Sequence, residues 1–108
     1  MSTINRVNGV TGTAVANAVT MTGRFGKITT EALSTAAAAT YTVTVTNTAI
    51  AATDMVMVSV DQGTNSAGAP SVQLVTPAAG SLVIIIKNVH ASNAFNGTLL
   101  ISFVSFAK

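Results

Sequence analysis

The segment Thr40-Tyr41-Thr42-Val43-Thr44-Val45-Thr46-Asn47 decides the fold class of this chain. Threonines at 40, 42, 44 and 46 alternate with Tyr41, Val43 and Val45, a period of two in β-branched and aromatic residues. Such a segment is a half-buried strand with one apolar face and one row of hydroxyls. Downstream, Asp54 to Asp61 carries Met55, Val56, Met57, Val58 and Val60 and reads as a second strand. Gly63, Asn65, Gly68 and Pro70 then punctuate a long turn. Ser71 to Thr76 is predicted as a third strand, closed by Pro77 and Gly80. Ser81 to Val89 and Asn96 to Phe106 complete the set, and both are apolar on two faces.

Parallel strands buried under helices would account for two-sided apolar strands. No stretch reads as a helix long enough to cover a sheet, however. Glu31 to Ala39, with alanines at 36 to 39, supports at most a short helical turn. The alternative is that a neighbouring subunit covers the outer faces. The sequence therefore predicts an all-β chain: a single antiparallel β-sandwich, jelly-roll-like, over residues 26–108.

Composition narrows the function. The 108 residues make one domain. Charged residues are 7% of the chain, where a soluble domain carries about 25%. Hydrophobic residues make up 49%, yet the longest unbroken run of large apolar residues is Leu82 to Ile86. A membrane-spanning helix needs about 20, so no membrane span is expected. The formal net charge is +2, from five scattered cations and three acids. Such a pattern cannot build the basic stripe that phosphate neutralisation requires, which disfavours nucleic acid as a partner. Cysteine is absent, so there is no disulfide framework. Met1 to Arg6 shows no basic region followed by an apolar one, and synthesis in the cytoplasm without a cleaved signal is expected.

Residues 1–25 differ from the rest. They alternate small and polar residues, include Gly9, Gly12 and Gly23, and offer little to fill a core. Two readings stand: an extended arm pairing with its own sheet, or an arm lying on a neighbouring protein. In the second, Ala14, Ala16, Ala18 and Thr20 form one small-residue face suited to pairing with a neighbour's strand. Arg6 and Arg24 are the only charges of the arm. Deleting residues 1–22 is then expected to leave the sandwich folded and to abolish attachment.

No catalytic, cofactor-binding or metal-binding set emerges. His90 is the sole histidine and reads as a loop residue with local hydrogen bonds. Asp54 and Asp61 bracket one strand about 23 Å apart, too far for glycoside hydrolysis. Asp61 and Asn65 suggest a weak calcium site less readily than an ordinary turn. The chain is expected to be non-enzymatic. Tyr41 belongs to the core. Phe95, between Asn93-Ala94 and Asn96-Gly97, either tucks into the end of the sandwich or joins a subunit interface. Phe25, Ile84, Ile86, Val104 and Phe106 complete the candidate interface.

Four stretches carry a family likeness: Gly26-Lys27-Ile28-Thr29-Thr30-Glu31-Ala32-Leu33, Tyr41 to Asn47, Val75-Thr76-Pro77-Ala78-Ala79-Gly80-Ser81, and Asn88-Val89-His90-Ala91 with Asn96 to Phe103. Together they resemble small β-rich structural proteins and fibre domains of tailed bacteriophages. The resemblance transfers no functional residue. It implies a virion component, in the first instance a capsid decoration or cement protein. Its expected partner is the major capsid protein or another virion protein, and the expected self-association is a homotrimer. The alternative is a host-recognition or carbohydrate-binding module at a tail or fibre tip. Exposed aromatics and long loops favour that alternative, and this chain is poor in both.

Overall fold

The computed structural model describes residues 10–106. Among them the chain forms eight strands and no helix: β1 (Val10–Thr13), β2 (Ala18–Thr20), β3 (Phe25–Thr29), β4 (Thr40–Thr46), β5 (Met55–Gln62), β6 (Pro70–Ala78), β7 (Ser81–Asn88) and β8 (Leu99–Phe106). The first sheet has the order β1-β3-β8-β5 and the second β2-β4-β7-β6. The two enclose one core. Leu82, Ile84 and Ile86 of β7 and Leu99, Ile101 and Phe103 of β8 are buried in it, with Tyr41, Val43 and Val45 of β4 and Ile28 of β3.

The alternation of β4, β7 and β8 thus places one face of each strand inside, as the periodicity requires. Two expectations need correction at this level. Ile84 and Ile86 are completely buried within the chain and present nothing to a neighbour. The sheets are also mixed: β1 pairs with β3, and β2 with β4, in parallel.

Other differences have local causes. Pro77 does not close the third strand but lies inside β6, opposite Leu82. An edge strand tolerates proline, because the N–H that proline lacks has no partner on the open side. Glu31 to Ala39 is not helical, because its backbone is already engaged. Leu33 N–H donates to the Gly97 carbonyl, the Thr35 carbonyl accepts from Phe95, and Ala38 N–H donates to the Asn88 carbonyl.

The largest revision concerns the arm. Val15 and Ala18 exchange two backbone hydrogen bonds around Ala16 and Asn17, whose φ angles are 52° and 67°. Two successive positive φ values make the two-residue reversal that suits twisted strands. The reversal sends β1 to the outer edge of the first sheet and β2 to the outer edge of the second. It also breaks the uniform face expected of Ala14, Ala16, Ala18 and Thr20. Ala14 is buried in the core, while Ala16, Ala18 and Thr20 are exposed. Val19 and Met21 join Ala14 inside. β1 and β2 therefore belong to the two sheets of their own chain, each as an edge strand.

Several contacts lock this hairpin in place. Glu31 accepts from the Asn17 backbone N–H at 3.0 Å and from the Tyr41 hydroxyl at 2.8 Å. Burial and the Glu31 carboxylate together raise the Tyr41 phenol well above its ordinary range, so it remains a donor. Gly26 permits the close approach of β1. A Cβ there would stand 2.7 Å from the Val10 carbonyl oxygen.

Deletion of residues 1–22 is accordingly predicted to destabilise the fold. Removing Val19 and Met21 forfeits roughly 1.5–3 kcal/mol for each side chain, and β3 and β4 lose their outer partners. Urea denaturation of the truncated chain should show a midpoint far below that of the full chain. An unchanged midpoint would mean that the hairpin is an accessory.

Candidate functional site

Of the seven exposed large apolar side chains among the described residues, four lie together on the outward face of the first sheet, while Val15, Leu74 and Val89 stand elsewhere. Phe25 of β3 and Met57 of β5 flank Val104 of β8 in register, and Met55 stands beside Phe106 one level along. Phe25 is 37% exposed, Phe106 46%, Met55 50% and Met57 59%. These values distinguish them from Ile28 on β3 and Leu99, Ile101 and Phe103 on β8, which are nearly inaccessible. A cavity of about 650 Å³ opens along this face. Phe25, Met57 and Val104 line one side, and Thr11, Lys27, Ser59 and Ser102 form the adjoining row.

One buried carboxylate sets the geometry of the patch. Asp54 immediately precedes Met55, Ser105 precedes Phe106, and Arg24 precedes Phe25. Oδ2 of Asp54 accepts from the Ser105 hydroxyl at 2.9 Å, from the Ala51 N–H at 3.0 Å and from Nη1 of Arg24 at 3.4 Å. The Ser105 N–H also donates to the Arg24 carbonyl. The ends of β3, β5 and β8 are therefore tied at one point, and the three apolar side chains beyond the tie are held side by side. The Ala51 and Ser105 hydrogen bonds, aided by Arg24, lower the Asp54 carboxyl below its ordinary value. The local sequence shows only the turn contact with Ala51, because Ser105 and Arg24 come from two distant segments.

The other candidate residues lie apart from this face. Phe95 is 2% exposed and tucks into the end of the core, so it is not an interface residue. Arg24 is engaged with Asp54 within the chain. Arg6 lies outside the described residues. Asn65 and His90 organise loops: Asn65 donates to Gln62 and to the Ala67 carbonyl, and Nδ1 of His90 accepts from the Ser92 and Asn93 N–H groups. Asn65 and Asp61 do not converge on an ion site. Asn65 is buried in its loop, whereas Asp61 points outward from β5. The outward face of the second sheet carries the predicted hydroxyl row of β4, with Val83 and Ile85 beside it.

Sequence reading identified Phe25, Val104 and Phe106 but passed over Met55 and Met57. The alternation of β5 is their signal: valines at 56, 58 and 60 face inward, which turns both methionines out. No protein-family model, curated protein or solved structure matches the chain.

The depressed Asp54 pKa has a pH consequence. A carboxyl whose folded value lies below its unfolded value of about 3.9 stabilises the fold above that pH. That contribution is lost as pH falls through the folded value. Thermal unfolding followed from pH 7 to pH 2 should show the native chain losing its advantage over an Asp54→Asn variant below about pH 4. Parallel curves for the two proteins would show that the carboxylate does not stabilise the strand ends.

Proposed function

We propose that the protein is a non-enzymatic structural component of a bacteriophage particle, acting there as a capsid decoration or cement protein. The observation that carries this reading is the exposed apolar patch of Phe25, Met55, Met57, Val104 and Phe106 on a chain with few charges. Exposed apolar side chains gathered in one place mark a contact surface. The partner is the major capsid protein or another virion protein. The family likeness adds self-association, with a homotrimer as its implied form.

The strand order lends support. β3-β8-β5 faces β4-β7-β6, and the chain changes sheets between β3 and β4, β4 and β5, β5 and β6, and β7 and β8. We read those six strands as a jelly-roll arrangement, with the N-terminal hairpin added outside β3 and β4. Jelly rolls recur in viral shells and in lectins, but a fold alone does not assign a function. The patch therefore carries the reading.

Attachment through this face is apolar in character. β1 and β2 of the arm pair with strands of their own chain, and Arg24 is engaged by Asp54. Occupancy of the particle should accordingly change little between about 0.05 and 0.5 M salt, although screening lengths shorten severalfold over that range. A Met57→Ser variant should lose most of its occupancy. Quantifying the chain in purified phage particles tests the reading directly. Copy numbers comparable to the capsid subunits are expected. A few copies per particle would favour the tail or fibre-tip alternative, and absence from particles would overturn the proposal.

A further inference from the structure

The outward face of the first sheet carries its chemistry in columns, and the columns match one another across β8. At one level Phe25, Val104 and Met57 stand in register. At the next stand Lys27, Ser102 and Ser59, and at the third Thr29, Leu100 and Asp61. Lys27 lies on one flank of β8 and Asp61 on the other, and both are exposed. The ion pair found among the described residues is Arg24–Asp54, so these two charges remain available.

Consider two copies of this face laid against each other. A two-fold axis running along β8, between the two sheets, keeps every level at its own height and exchanges the flanks. Phe25 then meets the copy's Met57, and sulfur–aromatic contacts are favourable. Val104 and Ser102 meet their own equivalents on the axis. Lys27 stands over the copy's Ser59, and the copy's Asp61 is one step further, about 7 Å along the strand. The lysine stem spans such a distance. An axis across the strands would instead press Phe25 and Met57 onto the level of Asp61 and strip water from the carboxylate without compensation. Face-to-face sheets keep their strands within about 30° of each other, which preserves the level-by-level match.

We propose that this face binds the same face of a second copy, forming a dimer with an apolar seam and Lys27–Asp61 ion pairs on either side. The inference rests on the reading of the patch as a contact surface and names a second copy, in place of another virion protein, as its occupant. A trimer closed through this face would join unlike surfaces and would leave the matched flanks unused. Strand spacing and rise give the face a footprint of about 400 Å², roughly half of the ~800 Å² that each partner buries in a standard interface. Dimerisation is therefore concentration-dependent. Display of many copies on a particle raises their effective concentration and favours it.

The chain has no cysteine, so single thiols can be placed at will. A Ser102→Cys variant should be joined into a covalent dimer by a short bis-maleimide, because Ser102 lies on the axis and facing sheets stand about 10 Å apart. A Ser81→Cys variant, on the outward face of the second sheet, should not. In sedimentation equilibrium, Lys27→Asp and Asp61→Lys should each weaken the dimer by about tenfold, and the double exchange should restore it. Equal cross-linking of the two thiol variants would overturn the proposal. So would a trimeric mass, a monomer up to about 1 mM, or failure of the double exchange to recover. Loss of the dimer with particle binding retained would reject the two-fold contact alone. Loss of particle binding in a Lys27→Asp/Asp61→Lys double variant that remains dimeric would instead place the failure on the particle side.

Discussion

The packing of Leu82, Ile84 and Ile86 on β7 with Leu99, Ile101 and Phe103 on β8 is the contact on which the rest of the molecule depends. All six are nearly inaccessible, and five have no exposed surface at all. Burying side chains of this kind is worth roughly 1.5–3 kcal/mol each, which makes this pair of strands the centre of the core. Every other strand is placed by reference to it. β3 and β5 flank β8, β4 and β6 flank β7, and the hairpin of β1 and β2 occupies the two remaining outer positions. Because the inward residues of β8 are fixed, its outward residues are fixed as well, and Val104 and Phe106 become part of a rigid surface.

A chain with so few charges must secure its loops in another way, and it uses neutral amides. Asn88 is fully buried, accepts from the Ala69 and His90 N–H groups, and donates to the Thr35 and Asn93 carbonyls. Those four bonds use the whole hydrogen-bonding capacity of its side chain. Asn47 performs the same task at the opposite end of the second sheet, where it bonds both the N–H and the carbonyl of Gly23. Asn47 thereby anchors the connection between the N-terminal hairpin and β3. Asp54 is the charged counterpart, and it acts directly beneath the exposed patch.

The parts of the fold that could be read from sequence are those governed by one strand's own periodicity. β4, β5, β7 and β8 fall close to their expected limits because each is a run of β-branched and apolar residues bounded by turn residues. β1, β2 and β3 could not be found this way. They are short, and β1 and β2 are placed by parallel pairing with strands that follow later in the chain. The same limit explains the misreading of Ile84 and Ile86. Two-sided apolar character was taken to imply a covered outer face, but these two residues occupy the inward face, and Val83 and Ile85 face outward. The patch was half visible in Phe25, Val104 and Phe106. Its anchor at Asp54 was not, because Ser105 and Arg24 converge on it only in three dimensions.

The central claim is that the outward face of the first sheet is a contact surface and the core beneath it is not. The methionines are suited to testing it, since Met55 and Met57 lie on that face and Met21 lies in the core. In a dilution series of protein labelled at its methionine methyl groups, the NMR signals of Met55 and Met57 should shift or broaden as concentration rises. The Met21 signal should stay fixed. Invariant Met55 and Met57 signals, or concentration-dependent changes confined to other parts of the chain, would contradict the account.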